Sequence, residues 1–379
     1  MQLGRTGILV LLIASACGSG SSGGVTASPT FAAIASPSGS ASPSSSVAPG
    51  PPSLVHCTAT VPAGDNLVIG TVEGDPTVVV RDIQDPANAR NLCRFDAAAT
   101  AQQFVSATQV AYETAAGQII KADLSTGATK VLATYGSSFG SGQYAISPDG
   151  RSVTYLDGNA WRLSGPSGDR LLTTLPSVPP RGVSPDQDDS FLSFSPDGLY
   201  VALVQTFHTS GSGPTAPDQV RKAGDGSLVY STSGMTMGVW SSVPSRLYFQ
   251  DVSGTVHRWD PGGKVTTMLQ IHWIRPRSSP DGRWIAYTFR TQSGLGTIGL
   301  YSVQSNSTSN TSVEGRSGVR FLSNDLMWYV GERACNTCFG ALPTTTGLAY
   351  IYSIAGGSEV VARLTGVADA WPHSTPTGL

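Results

Sequence analysis

Ser147-Pro148-Asp149-Gly150 leads into Ser152-Val153-Thr154-Tyr155, and the same arrangement recurs twice. Ser195-Pro196-Asp197-Gly198 precedes Leu199-Tyr200-Val201-Ala202-Leu203-Val204, and Ser279-Pro280-Asp281-Gly282 precedes Arg283-Trp284-Ile285-Ala286-Tyr287-Thr288. Each tetrapeptide has the residues of a type I turn, with Ser first, Pro and its fixed φ second, Asp third and Gly fourth. The runs that follow are rich in β-branched and aromatic residues, which suit strands. A turn that feeds a strand three times over predicts a repeated hairpin unit.

Weaker copies fill the gaps, at Val105-Ser106-Ala107-Thr108, Trp240-Ser241-Ser242-Val243-Pro244-Ser245 and Leu322-Ser323-Asn324-Asp325. Counting the serines at 106, 147, 195, 241, 279 and 323 gives steps of 41, 48, 46, 38 and 44 residues. That spacing is the length of one four-stranded propeller blade. A second hairpin can be read inside the unit, as in Ile119 to Leu124, the turn Ser125-Thr126-Gly127, and Thr129 to Leu132. Val256 to Trp259, Asp260-Pro261-Gly262-Gly263 and Lys264 to Thr267 repeat that plan in blade 5.

Val55 to Val61, Leu67 to Val72, Thr77 to Asp82 and Arg90 to Phe95 supply a further blade at the N-terminus, and Ala368 to Ser374 reads as the opening strand of another repeat. Open strand edges invite aggregation, so a ring must hide its first and last strands. Sharing blade 1 between the two termini does this. The fold expected is all-β, a β-propeller of seven four-stranded blades, with six or eight as the alternatives.

The three Ser-Pro-Asp-Gly turns, each preceded by an aromatic or apolar strand and followed by another, resemble the TolB-like, WD-related propeller repeats over about residues 54 to 379. The resemblance implies a propeller and leaves the activity open. That family includes periplasmic scaffold proteins, propeller domains attached to peptidases, and actinobacterial lipoproteins associated with sensor kinases.

Composition agrees with a turn-rich all-β chain. There are 44 Gly and 25 Pro among 379 residues, and no long amphipathic helical pattern. Charged residues make up 13% and the net charge is −2, which supplies no basic field for nucleic acid.

The N-terminus sets the expected compartment. Arg5 is the one charge in the first six residues, Gly7 to Ile13 form a short apolar run, and Ala14-Ser15-Ala16 lead to Cys17. This order reads as a lipoprotein signal peptide over residues 1–16, with Cys17 as the lipidated residue. Two acyl chains there are enough for stable anchoring on the outer face of the cytoplasmic membrane or elsewhere in the cell envelope. From Gly18 to Ser53 the chain is Gly, Ser, Pro, Ala, Thr and Val with little else, a composition that forms a tether. As a flexible coil it reaches roughly 30 to 36 Å. The propeller occupies 54–379.

Four further cysteines fit a compartment that permits disulfides. We pair Cys57 with Cys93, and Cys335 with Cys338. Cys335-Asn336-Thr337-Cys338 has no second pair to make a zinc site and no following His to hold a haem.

Catalytic motifs do not find their context. Gly136-Ser137-Ser138-Phe139-Gly140 matches Gly-x-Ser-x-Gly, but it lies between strands and not between a strand and a helix. Asp186-Gln187-Asp188-Asp189 lacks the Gly and the distal Glu of an EF-hand loop. The five His, at 56, 208, 257, 272 and 373, show no metal-ligand spacing. No catalytic residue, metal site or cofactor is expected.

Binding residues have two sources. The long inter-strand segments, 177–190, 208–218, 290–297 and 331–347, fall on the face opposite the Ser-Pro-Asp-Gly turns, and long loops on a rigid scaffold are the usual seat of function. The innermost strand of blade 6 carries His272, Trp273, Arg275 and Arg277, where the other blades place Phe104, Ala145, Ser193, Val239 and Phe321. With Arg320 nearby on blade 7, these residues form a candidate mouth for a carboxylate, a phosphate or a peptide C-terminus. The competing reading is that the arginines bridge blades. The expected function is a monomeric, lipid-anchored scaffold that binds a protein, a peptide or an envelope polymer. A propeller hydrolase or lyase acting on a glycan or lactone in the channel is the alternative.

Overall fold

The structure is a computed structural model that describes residues 50–62, 66–84, 89–136, 143–175, 191–204, 217–242, 245–310, 314–334 and 344–372. Among these, every regular element is a β-strand. The first four are β1 (Val55–Cys57), β2 (Leu67–Val72), β3 (Asp75–Asp82) and β4 (Arg90–Phe95). Blade 2 holds β5 (Ala99–Ser106), β6 (Gln109–Thr114), β7 (Gln118–Asp123) and β8 (Thr129–Thr134), and blade 3 holds β9 (Tyr144–Ile146), β10 (Val153–Asp157), β11 (Ala160–Gly165) and β12 (Gly168–Thr174). Blade 4 is β13 (Phe191–Phe194), β14 (Tyr200–Val204), β15 (Asp218–Lys222) and β16 (Leu228–Thr232). Blade 5 is β17 (Met235–Ser242), β18 (Ser245–Asp251), β19 (Thr255–Asp260) and β20 (Lys264–Gln270). Blade 6 is β21 (Ile274–Ser278), β22 (Trp284–Arg290), β23 (Gly296–Ser302) and β24 (Ser307–Asn310). Blade 7 is β25 (Arg316–Phe321), β26 (Leu326–Arg333), β27 (Thr344–Ser353) and β28 (Ser358–Ala362), after which β29 (Leu364–Trp371) ends the strands.

Seven antiparallel sheets result, as the repeat count predicts. The shared blade is also as expected, since β29 pairs with β2 and places Trp371 opposite Leu67. One arrangement differs. Blade 1 runs β29, β2, β3, β4, β1, so it has five strands, and Val55–Cys57 lies at the rim. The C-terminal strand fills the innermost place, which leaves the outer edge of β4 as the partner for β1. Cys57 then sits directly across from Cys93 and the two form a disulfide, the first of the two expected. Cys335 and Cys338 lie outside the described residues, as do Cys17 and the tether.

Successive side chains point to opposite faces of a strand, and runs such as Val201-Ala202-Leu203-Val204 are buried throughout, because each blade packs against a neighbour on either side. The core therefore divides into seven clusters, one per interface. Leu67, Ile69, Phe95, Phe104, Val110 and Tyr112 fill the space between blades 1 and 2. Val68, Leu364, Val367 and Ala370 of blade 1 meet Leu322, Trp328, Ala349 and Ile351 of blade 7, and this seventh cluster closes the ring. Trp161, Trp240, Trp259 and Trp273 are among the largest fully buried side chains, and truncation of one of that size costs about 3 to 5 kcal/mol.

Candidate functional site

The three Ser-Pro-Asp-Gly turns are built alike. The Gly amide donates to the Ser carbonyl at 2.8, 2.8 and 2.9 Å, closing the turn, and Gly150, Gly198 and Gly282 have φ of 65°, 70° and 68°, where a side chain is strained. The Ser hydroxyl donates to the Asp carboxylate at 2.6, 2.6 and 2.7 Å. It also accepts the amides of Ser152, Tyr200 and Trp284 at 2.9, 2.9 and 3.0 Å. The motif thus fixes its own geometry at each strand entry.

Each turn then touches a neighbouring blade. Lys121 Nζ donates to the Gly150 carbonyl at 3.1 Å, and a Cβ on Gly198 would pack on Pro148. The Asp197 amide reaches Ser245 Oγ, Ser241 Oγ reaches the Gly282 carbonyl, and the Asp281 amide donates to Asn324 Oδ1 at 2.9 Å. A chain of contacts runs from blade 2 to blade 7 along this face. These bonds tie neighbouring blades together on this face.

Antiparallel order puts the second-to-third strand connections and the inter-blade connections at the opposite end. Strands β8, β12, β14 and β26 end toward that side, and the residues that follow them, 137–142, 176–190, 205–216 and 335–343, lie outside the described residues. Gly136 is described; the rest of the Gly-x-Ser-x-Gly match and Asp186 to Asp189 lie outside the described residues.

The channel wall is made of the seven innermost strands. In β5, β17, β21 and β25 the register with the second strand slips by one residue, a β-bulge, between Thr100 and Gln103, Thr236 and Val239, Ile274 and Arg277, and Ser317 and Arg320. Each bulge holds a left-handed residue, namely Ala101, Met237, Arg275 or Gly318. The strained φ of Arg275 is therefore a property of the repeat. Two residues further on stand Gln103, Val239, Arg277 and Arg320. This corrects the sequence alignment, which matched Arg277 with Phe104 and Phe321: the blade 7 turn is a residue shorter, since the Leu322 amide bonds the Leu326 carbonyl where the Ser279 amide bonds that of Trp284.

The corrected position reaches toward the following blade. Ser193 Oγ, its blade 4 member, accepts the Trp240 indole N–H at 2.8 Å, and the Gln103 side chain hydrogen-bonds Tyr144. Asp369 fills the place in blade 1, because the adjoining Ala370 packs toward blade 7 as Phe104 packs toward blade 1; its carboxylate accepts the Phe104 amide at 2.6 Å. Gln103 is 3% exposed, Ala145 and Ser193 0% and Val239 1%, whereas Arg277, Arg320 and Asp369 are half-buried. Only the charged members reach water.

The five predicted binding residues thus divide. Arg275, Arg277 and Arg320 lie on adjoining innermost strands. His272 is exposed on the loop face, its ring against Gly254 in the β18–β19 turn. Trp273 is buried with Tyr248, Tyr287 and Tyr301, and its amide donates to Gln250 Oε1 at 2.8 Å.

Two polar groupings escaped the sequence reading. On blade 7, Arg316 pairs with Glu359 at 2.7 Å, lies 3.9 Å from the Tyr350 ring, and shares Glu359 with the Tyr329 hydroxyl at 2.6 Å. Burial pushes the Tyr329 phenol well above its usual range, and Glu359 adds to this. On blade 5, His257 Nε2 lies 2.9 Å from Asp251 Oδ2, and Thr267 Oγ1 lies 3.3 Å from His257 Nδ1. Both arise from cross-strand pairing, as in His257 opposite Thr267, which no local motif encodes. Among the described residues, no group of three or more His, Cys, Asp or Glu is placed to hold a metal.

Burial pushes the Asp251 carboxyl up, but hydrogen bonds from His257, Ser253 and the Thr255 and Ser253 amides outweigh it and hold the group at about 2. Asp123, bonded by Ser125 and Thr126, is also held at about 2. A depressed carboxyl pKa stabilises the fold above its unfolded value near 3.8 and loses that contribution as pH falls toward 2. Thermal midpoints measured by circular dichroism are expected to fall between pH 4 and pH 2. Asp251→Asn should flatten that limb, and an unchanged slope would remove the assignment.

No protein-family model matches the chain, and no curated protein does. Solved structures do. A prolyl endopeptidase is similar with a TM-score of 0.54 at 13% identity, over 82% of this chain and 49% of that one, so the chain spans about half its length. An oligogalacturonate lyase in complex with manganese is similar with a TM-score of 0.50 at 12% identity, over 80% of this chain and 86% of that one. A TolB protein from Acinetobacter baumannii gives 0.40 at 19% identity, over 65% and 64%. The likeness is one of fold, and because this fold hosts unrelated activities, function must be argued from the faces and the channel wall.

Proposed function

We propose that the chain is a lipid-anchored, extracytoplasmic scaffold that binds a protein, a peptide or an envelope polymer through the face opposite the Ser-Pro-Asp-Gly turns. The observation that carries this reading is the division of labour between the two ends of the ring. The Ser-Pro-Asp-Gly turns at one end are short and bonded to their neighbours, while the strands that lead into the four longest connections all end toward the other, and long loops on a rigid scaffold are the usual seat of function. The Cys57–Cys93 disulfide favours an oxidising compartment, and the order of regions ahead of Cys17 favours export with a lipid anchor.

The test has two arms. Cys17→Ser should move the protein from the membrane fraction to the soluble fraction; continued sedimentation with membranes would remove the anchor. A photo-crosslinking residue at Val252 or Leu348, both exposed toward the loop end, should capture the partner in cells that express the protein, whereas one at Leu199 on the turn face should not. Equal capture from Leu199 and Val252 would overturn the binding face.

A further inference from the structure

We propose that the channel wall between blades 6 and 7 holds a small-oxyanion site centred on Arg277, for a ligand presenting a carboxylate or phosphate. This goes beyond partner binding on the loop face and does not depend on it.

The first ground is the distribution of charge. Innermost strands β5, β9, β13 and β17 contain no Asp, Glu, Lys, Arg or His. All the ionisable side chains of the wall fall on blades 6, 7 and 1: Arg275 and Arg277 on β21, Arg316 and Arg320 on β25, and Asp369 on β29. Arg316 is paired with Glu359, and Asp369 accepts the Phe104 amide. The innermost strands therefore carry no charged residue over blades 2 to 5, and four Arg and one Asp over the rest.

The second ground is Arg277 itself. Its Nη1 donates to the carbonyl of its own neighbour Pro276 at 2.9 Å, and among the described residues it has no carboxylate partner. Its Nε is buried and has no hydrogen-bond partner there. A guanidinium presents five donors in a planar fork that matches two oxygens of a carboxylate or phosphate. Leaving a buried donor unsatisfied is costly, and a bound oxyanion would relieve that cost. The register adds the third ground: the same position is buried in blades 2 to 5 and serves contacts to the next blade from Gln103 and Ser193, yet here it is filled by a long, half-buried cation.

The experiment measures the thermal midpoint of the full chain as inorganic phosphate, and separately acetate, rises from zero to low millimolar at constant ionic strength. Wild type should shift upward with at least one of these anions, as expected for a ligand that binds only the folded state. Arg277→Met should start from a higher midpoint in anion-free buffer, since it removes the unsatisfied donor, and should show no anion-dependent rise. Arg277→Lys should keep a reduced rise because it retains charge without the fork, and this variant reads the site if the Met variant misfolds. No rise in wild type, or an equal rise in Arg277→Met, would overturn the site and leave Arg277 as an inter-blade residue.

Discussion

Ending the chain at Arg363 is expected to abolish cooperative unfolding and drive the protein into aggregates. That truncation removes β29, which supplies Leu364, Val367 and Ala370 to the cluster between blades 7 and 1. It also removes three hydrogen bonds: the Trp328 indole N–H to the Leu364 carbonyl at 2.9 Å, the Phe104 amide to Asp369, and the Asn66 amide to the Trp371 carbonyl at 2.9 Å. The inner edge of β2 would be left bare, in a strand whose residues 67 to 70 are all buried, and such an edge is a template for intermolecular pairing. A milder probe uses Gly70, where a Cβ would run into the Gly366 carbonyl. Gly70→Val should therefore pry β29 from β2 without shortening the chain. Both variants are read by calorimetry and light scattering; a monomeric truncation with an unchanged transition would show that the ring does not depend on its last strand.

Loss of the Cys57–Cys93 bond ranks second. The cross-link joins residues 36 apart, and a loop of that size is worth about 3 to 4 kcal/mol of stability. For a domain of this size that amounts to roughly 5 °C in midpoint. Reduction, or the Cys57→Ser/Cys93→Ser double variant, should lower the denaturant midpoint and expose residues 50–57 to proteases first, because β1 is only three residues long and pairs with β4 alone. If the reduced and oxidised proteins melt together, β1 is held by its other contacts. Those include the Leu54 amide to the Tyr112 hydroxyl at 3.0 Å, the Asp96 amide to the Leu54 carbonyl at 2.9 Å and His56 Nε2 beside Asp96 Oδ2 at 3.2 Å.

Local chemistry explains what could be read in advance. Ser-Pro-Asp-Gly encodes its own hydrogen bonds within six residues, so three clear copies and the weaker ones between them set the period. Trp371 could be placed in blade 1 because a ring has only one seam to close. The register of Arg320 was hidden by a turn one residue shorter than its relatives, and the bulges were hidden because Ala101, Met237 and Arg275 carry side chains where a left-handed φ would ordinarily signal Gly or Asn. The pairing of Ser193 with Trp240, and of Asp369 with Phe104, spans blades, and nothing in either local sequence specifies the partner. The candidate residues divided for the same reason: Trp273 and Arg277 are four apart in sequence, but Trp273 packs in the interface of blades 5 and 6 and Arg277 stands at the position that reaches toward blade 7.

Strand β1 also gives the molecule a defined load path. A pull on the chain ahead of Pro51 enters at the rim of blade 1 and must first shear the short pairing of β1 with β4. It then meets Cys57 and passes through the sulfur–sulfur bond into Cys93, so the intervening segment, which includes β2 and β3, bears no tension. A tethered protein with this wiring can be tugged without its seam being unzipped. With the bond reduced, the same force would run through β2 and from there onto β29, the strand that closes the ring.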